Sequence, residues 1–174
     1  MKFNPLPDYS EISKYLGISK ESPSGLVWLI SPPRCNWIKP GQRAGSKHKS
    51  GYWHVHFKGV DYKAHRIIFL LQHKKDPGNF LVDHVNGKQD NLELRLASHS
   101  QNMHHQGKKQ WSTPRSSKYK GVYWSKQRNK WKARIYINKK QKWLGYFESE
   151  IDAAKAYNEA ALKYLGAFAK LNDV

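Results

Sequence analysis

The sequence is poor in cysteine and in acidic residues, and both shortages limit what the chain can be. Cys35 is the one cysteine among 174 residues, so neither an intrachain disulfide nor a multi-cysteine zinc cluster can form. Thirteen Asp and Glu residues stand against 31 Lys and Arg residues, which gives a formal net charge of +18. Such an excess favours a polyanionic partner, with nucleic acid ahead of an anionic membrane.

Long apolar runs are absent as well. No run approaches the roughly 18 residues that a membrane-spanning helix needs. The first residues, from Met1 to Pro5, lack the apolar core of a signal peptide. We therefore expect an intracellular protein in a reducing compartment, without a membrane partner.

Aromatic residues are plentiful and allow two modest cores. They make up 13% of the chain and include seven Trp residues. Polar, turn-rich and basic sequence separates two patterned regions. We predict a first domain over residues 1–106, a basic linker over 107–118 and a second domain over 119–174.

An Asp-His dipeptide is the most informative feature of the first domain. The apolar residues Leu81 and Val82 lead into Asp83 and His84, and an Asn- and Gly-rich loop follows. Carboxylate and amide oxygens bind hard cations, and a histidine can take a proton from water near neutral pH. The pattern indicates a metal-dependent site that cleaves phosphodiesters. For the dipeptide alone, an ordinary surface turn is the alternative.

With its surroundings, this stretch resembles the HNH endonucleases of phages and mobile introns. The motifs that carry the resemblance lie at residues 62–66, 83–87, 90–91 and 94–102. The resemblance implies a ββα-metal fold over roughly residues 10–106. The segment between Asn91 and Arg95 is shorter than family members usually have.

The HNH resemblance also implies roles for individual residues. His84 would be the general base, and Asn91 would brace the loop that aims it. Arg66 would face a phosphate, or alternatively form a structural salt bridge with Asp83 or Asp90. Asp83 and Asn102 would hold one divalent cation, Mg²⁺ with Mn²⁺ as a working substitute.

The second domain alternates between apolar and basic positions. Trp131, Ala133, Ile135 and Ile137 alternate with residues that are basic or aromatic, which predicts a strand with two different faces. Strands over 119–124, 131–137 and 141–147 and a helix over 148–165 predict a three-stranded antiparallel sheet packed on one helix. Asp and Glu are absent from residues 94–147, so the outer sheet face carries charge of one sign, as a duplex groove requires.

These residues resemble the AP2 DNA-binding domain. The motifs lie at residues 119–123, 131–135, 143–147, 153–157 and 171–172, within a match over almost all of 117–172. The resemblance implies that the sheet enters the major groove. The contacts that it implies are Lys120, Tyr123, Lys132, Arg134, Tyr136 and Trp143. Plant members usually have other residues at three of these positions, so their base preference does not transfer.

A basic loop in the first domain offers a further contact region. Arg43 and Lys47 lie in a segment with several other cations, and they either touch phosphate or are solvated charges.

The sequence thus predicts an α+β protein, with an N-terminal ββα-metal (HNH) nuclease domain followed by an AP2-like sheet and helix. We expect a metal-dependent homing-type endonuclease acting on double-stranded DNA in the cytoplasm of a bacterial or phage-infected cell. The oligomeric state stays open, with a monomer favoured. One alternative is a non-catalytic, sequence-specific DNA-binding regulator with a degenerate HNH domain. An RNA-binding accessory protein suits the charge but not the AP2-like sheet.

Overall fold

The structure is a computed structural model that describes residues 3–86, 92–105 and 116–174. It divides the chain into two compact units, Met1–Ser98 and His99–Val174. No helix within the described ranges is long and apolar enough to cross a membrane.

The first unit combines short antiparallel sheets with two helices. Its helices are α1 (Tyr9–Tyr15) and α2 (Ala64–His73). Its strands are β1 (Leu16–Ile18), β2 (Leu26–Trp28), β3 (Ser46–Lys47), β4 (Trp53–Phe57), β5 (Val60–Lys63), β6 (Leu81–His84) and β7 (Leu94–Ala97). In the described residues, β1 pairs with β2, β4 lies between β3 and β5, and β6 pairs with β7.

Helix α2 is the centre of this unit. Every residue from Ala64 to Leu70 is buried, as expected of a helix that is surrounded by other elements. The helix ends where Lys74 adopts the left-handed conformation with φ +52° and donates its N–H to the Leu70 carbonyl. The core around it consists of Ile12, Leu16, Leu26, Trp28, Ala44, Val55, Phe57, Ala64, Ile67, Ile68 and Leu70.

Two details of the first unit follow from strand pairing. Helix α1 ends at Tyr15, because the following residues pair with β2. On β7, Leu96 is 36% exposed, whereas Ala97 is 1% exposed. Side chains alternate along a strand. On β7 the buried side carries Ala97 and Arg95, and Arg95 pairs with Asp83.

The second unit is a sheet with one long helix across it. It contains α3 (His99–His105), β8 (Val122–Ser125), β9 (Lys130–Ile137), β10 (Lys140–Phe147), α4 (Glu150–Leu165) and a 3₁₀ helix (Gly166–Phe168). In the described residues the sheet is antiparallel with the order β10-β9-β8. This confirms the predicted three-stranded sheet and its helix.

Small residues let α4 approach the sheet closely. Its buried residues are Ala153, Ala154, Tyr157, Ala160 and Ala161, which pack against Val122, Ala133 and Ile135. The Ser149 side chain accepts a hydrogen bond from the Ile151 N–H at 3.1 Å and caps the helix.

The boundary between the units lies before α3 rather than after it. Lys120 Nζ donates to the His104 carbonyl at 2.6 Å, and α3 also contacts the 3₁₀ helix, so α3 belongs to the second unit. The β6–β7 hairpin belongs to the first unit. A ββα-metal domain is therefore not shown, and most of the predicted linker, residues 106–115, lies outside the described residues.

Gly121 is the point of closest approach between helix and sheet. It has φ +78°, and a Cβ built there would lie 2.1 Å from Tyr157 Cδ2 and 2.6 Å from the Arg134 carbonyl oxygen. The Arg134 N–H donates to the Gly121 carbonyl at 2.9 Å. A side chain at this position would push the helix away from the sheet.

We expect Gly121→Ala to destabilise the second unit by about 2–6 kcal/mol, which combines backbone strain with overpacking. Urea unfolding followed by tryptophan fluorescence measures the change. Gly166→Ala is the control, because Gly166 has φ +52° but no atom within 4 Å of a built Cβ. Equal losses in the two variants would show that the contact with Tyr157 contributes nothing.

Candidate nucleic-acid interface

The side of the β8–β10 sheet turned away from α4 gathers basic and aromatic side chains, and we call it the outer face. Tyr123 pairs with Lys132, which is also opposite Tyr146 on β10. Arg134 pairs with Trp143, and Tyr136 pairs with Gln141. Cross-strand partners share a face. The outer face therefore consists of Tyr123, Lys132, Arg134, Tyr136, Gln141, Trp143 and Tyr146.

Arg134 is held at the centre of this face. Its guanidinium carbon lies 4.4 Å from the ring centroid of Tyr123 and 5.6 Å from that of Tyr136. Its Nη1 donates to Gln141 Oε1 at 2.7 Å, and the Tyr136 hydroxyl donates to the same oxygen at 3.0 Å. A guanidinium that is already fixed in this way loses less conformational entropy on binding a pair of acceptors than a mobile one does.

A β-bulge brings two further aromatic rings onto the outer face. The register of β10 shifts between Trp143 and Gly145. Consequently Trp143 and Tyr146, three positions apart, lie side by side with ring centroids at 4.7 Å. Arg128, in the turn before β9, places its guanidinium 5.1 Å from the Tyr146 ring. Simple alternation missed Gln141, Tyr146 and Arg128, and the glycine at Gly145 is the sequence signal of the bulge.

None of the residues that define the outer face is acidic. Its Asp and Glu residues all follow the sheet in the chain, at Glu148, Glu150, Asp152, Glu159 and Asp173. Of these, Glu148 pairs with Lys130 Nζ at 2.6 Å at the end of the sheet. Glu150 and Asp152 lie in the first turn of α4, where their negative charges interact favourably with the positive end of the helix dipole. The outer face is therefore positively charged.

Lys120, predicted as a DNA contact, makes several hydrogen bonds inside the second unit. Its backbone N–H donates to Asn172 Oδ1 at 2.6 Å, and its carbonyl accepts from Asn172 Nδ2 at 3.1 Å. Its ammonium donates to the His104 carbonyl. Burial, with Lys170 nearby, lowers the pKa of Lys120 to about 8. Lys120 thus connects α3 and the C-terminal segment to the sheet, and its contact with DNA stays a prediction.

In the first unit, Asp83 is paired with a cation that the sequence analysis did not assign to it. Arg95 Nε donates to Asp83 Oδ2 at 3.0 Å, and Arg95 Nη2 lies at 3.0 Å from the same oxygen. Asp83 is buried on β6, directly opposite Arg95 on β7. A buried carboxylate and its guanidinium partner stabilise the hairpin, since removing either would leave a charge without compensation.

His84 lies in a buried group of rings. Its centroid is 5.3 Å from that of His65 and 6.5 Å from that of Tyr52, and the Tyr52 and His65 centroids are 5.4 Å apart. Burial above all, together with electrostatic repulsion from neighbours such as Lys63 and Arg66, lowers the pKa of His65 to about 3. His65 is therefore neutral at physiological pH.

Arg66 holds the chain that leads into β6. Its Nη1 donates to the Phe80 carbonyl at 2.9 Å and its Nη2 to the Gly78 carbonyl at 2.7 Å. Nη2 also lies 3.6 Å from Asp76 Oδ1. The aspartate that it meets is thus Asp76, and its guanidinium bonds mainly to backbone rather than facing a phosphate.

The predicted ligands Asp83 and Asn102 belong to different units, and Asn91 lies outside the described residues. No group of three His, Cys, Asp or Glu side chains within the described ranges is arranged to hold a metal. Of the two predicted ligands, Asp83 is paired with Arg95 through Oδ2. The Mg²⁺ or Mn²⁺ site stays a prediction from the sequence.

The two remaining predicted contacts are exposed on the first unit. Lys47 lies on β3, and the Arg43 guanidinium lies 5.2 Å from the centroid of Trp53. Both residues belong to one unit, and the outer face belongs to the other.

Comparison with known proteins identifies the region that carries the outer face. Residues 117–167 match the family model of the AP2 domain. A segment of 58 residues is 40% identical to APETALA2-like protein 2 of Oryza sativa subsp. indica, over 33% of this chain and 13% of that protein. A segment of 57 residues is 46% identical to an AP2/ERF and B3 domain-containing protein of Oryza sativa subsp. japonica, over 33% and 15%.

A third relative is the AP2-like ethylene-responsive transcription factor TOE2 of Arabidopsis thaliana. It is 38% identical over 60 residues, which cover 34% of this chain and 12% of that protein. The chain thus spans less than a fifth of the length of these relatives. The chain contains an AP2 domain at residues 117–167, as its resemblance predicted.

The prediction of an endonuclease is wrong. It is overturned by the matched family and relatives, which carry the names of AP2 proteins and transcription factors rather than of nucleases. They give no support for an HNH nuclease domain. The relatives are plant proteins, so a bacterial or phage-infected host is not supported either.

His65 leads to a prediction about stability in acid. Its pKa is about 3 in the folded unit, below the ordinary value of 6.5. Below pH 6.5 the unfolded chain binds a proton that the folded chain does not. The contribution of His65 to the free energy of unfolding is therefore fully present above pH 6.5. As the pH falls from there towards 3, this contribution decreases by about 1.4 kcal/mol per pH unit.

We expect His65→Gln to flatten the pH dependence of the free energy of unfolding between about pH 4 and pH 6. Urea unfolding at several pH values measures it, with His73→Gln, an exposed histidine on the same helix, as the control. A wild-type slope retained by His65→Gln would contradict the assignment.

Proposed function

We propose that this chain is a sequence-specific DNA-binding regulator, and that the outer face of its AP2 domain contacts double-stranded DNA. The observation that carries the proposal is the placement of Arg134. Its guanidinium is held between two tyrosine rings, on a face with no carboxylate. The names of the relatives, two of which include the words transcription factor, support a regulatory role.

The outer face has the chemistry that a major groove requires. Guanine presents two acceptors in that groove, and an arginine fork binds both. Arg134 stands in the middle of β9, with Gln141 orienting its fork from β10. Because Gln141 Oε1 already accepts two hydrogen bonds, the amide group of Gln141 contributes mainly its donor side to a ligand.

The remaining residues of the outer face divide into two roles. Trp143 and Tyr146 offer apolar surface for thymine methyl groups and sugars. Lys132, on the central strand β9, and the exposed Arg128, in the turn before it, are assigned to phosphates. In this proposal Arg134 recognises bases, whereas Lys132 and Arg128 add affinity for any sequence.

This function requires no chemistry from the first unit. Asp83, His84 and Arg66 are buried and take part in contacts within that unit. We propose that these residues stabilise the first unit. The proposed function also implies that the protein is located in a compartment that contains duplex DNA. One outer face on one chain suffices for binding, in keeping with the monomer expected from the sequence.

We expect Arg134→Ala to relax the preference at one or two base pairs of the site, at a cost of about 1–3 kcal/mol of discrimination. The matched control is Arg128→Ala, which should weaken binding to all sequences alike and lower the salt slope by about one unit. Selected-site sequencing and a salt titration of both variants provide the comparison. If Arg134→Ala keeps the preferred sequence and only lowers the salt slope, Arg134 is a phosphate contact and base reading lies elsewhere.

A further inference from the structure

We propose that the first unit carries a second DNA-contact surface, which grips the phosphate backbone without reading sequence. We call it the basic loop and define it as residues 34–49, including β3. The inference extends the proposed function and rests on it for the identity of the polyanion. It assigns a binding role to the unit that the AP2 match does not cover.

The charge of the basic loop is of one sign and is not compensated. Asp and Glu are absent from residue 22 to residue 60. The loop contains five exposed cations, Arg34, Lys39, Arg43, Lys47 and Lys49. Within the described residues, the structure pairs none of them with a carboxylate, whereas Lys58 just beyond the loop pairs with Glu11. Cations kept apart from acids in this way favour phosphate as a partner.

The loop backbone is fixed to the strands beneath it. The Gly41 N–H donates to the Trp28 carbonyl at 2.7 Å, and the Trp28 N–H donates to the Gln42 carbonyl at 2.9 Å. The Ala44 N–H donates to the Leu26 carbonyl at 3.0 Å, and Ala44 is fully buried. Ordered backbone reduces the entropy lost when the loop meets a ligand. The cations are thus displayed on a preorganised surface.

A cleft runs beside these cations. Its lining includes Arg43, Lys47 and Lys49, together with the imidazoles of His48 and His54, whose ring centroids are 4.8 Å apart. One acid, Asp61, also lines the cleft, and its carboxylate is bonded to His56 Nδ1 at 2.9 Å. The cleft therefore keeps a positive rim, which suits a phosphodiester backbone.

Trp37 adds an aromatic group to the same loop. It is 72% exposed, although the turn that carries it is ordered by bonds from the Cys35 N–H to the Pro32 carbonyl and from the Ile38 N–H to the Cys35 carbonyl, both at 3.1 Å. Cations interleaved with an exposed aromatic ring are typical of nucleic-acid surfaces. An anionic membrane fits less well, because the loop lacks the apolar helical face by which peripheral proteins insert.

The test compares two triple variants of the full chain that lose the same charge. Lys39→Ser/Lys47→Ser/Lys49→Ser removes the lysines of the basic loop. Lys14→Ser/Lys20→Ser/Lys75→Ser removes three exposed lysines elsewhere on the same unit. Each is titrated against a preferred duplex and an unrelated duplex of equal length, over a range of salt concentrations.

The basic-loop variant should bind both duplexes more weakly by the same factor, so that the preference between them is unchanged. Its salt slope should fall by about two to three units, since each lost phosphate contact removes roughly one. The second variant should lose less than about one unit. Trp37→Ser should weaken binding to both duplexes and leave the salt slope unchanged.

Two results would overturn the inference. If both triple variants weaken binding equally, the loop acts only through net charge. If the basic-loop variant loses binding to phosphatidylserine vesicles but keeps its DNA affinity, the surface belongs to a membrane. The Arg134→Ala experiment separates the two proposals. If that variant keeps the base preference of the wild type while the basic-loop variant loses affinity as expected, only the base-reading role of Arg134 is overturned. A wild-type chain that binds neither duplex overturns both.

Discussion

The structure of the AP2 domain depends on how closely α4 approaches the sheet. The Tyr157 ring occupies the space above Gly121 where any other residue would have a Cβ, and alanines on either side bring the helix down on Val122 and Ala133. This packing fixes which side of β9 is buried. The position of the Arg134 side chain follows from this packing. Alternation along β9 turns the side chain outward, while the Arg134 N–H bonds to the Gly121 carbonyl. One contact between helix and sheet thus determines both the stability of the core and the position of the central cation.

Charge is separated in each unit in a way that packing alone does not require. In the second unit, acids lie on the helix side and at the C-terminal end, and the outer face has cations and aromatic rings. In the first unit, the carboxylates of Asp76 and Asp83 lie beside arginines, and Glu11 pairs with Lys58, whereas the basic loop has no such partner within the described residues. Uncompensated cations repel one another and lower stability. The DNA binding proposed for each of the two surfaces would compensate this charge.

The sequence predicted the AP2 half well because its pattern is long and regular. Seven residues of strict alternation in β9 and alanines at helical spacing in α4 define two faces without ambiguity. Prediction failed where a single interaction overrides the pattern. The bulge after Trp143 moves Tyr146 to the outer face. In β7 the buried carboxylate of Asp83 selects Arg95 for the inner side and leaves Leu96 exposed. Asp83 and Arg95 are 12 residues apart, so the local pattern does not reveal their contact.

The HNH resemblance shows how the same residue types support two different interpretations. Asp, His and Arg near one another indicate catalysis when only their order is known. In the described structure, Arg95 pairs with Asp83, Arg66 bonds to the Gly78 and Phe80 carbonyls, and His84 packs against His65. Each polar group thereby contributes to the interior of a small unit, where burial without a partner would be costly. A short motif fixes which side chains are present, whereas a domain-length pattern such as that of β9 and α4 also fixes which way they face. The direction of its side chains therefore makes the outer face a basis for the base-reading proposal, which the buried Asp83, His84 and Arg66 are not.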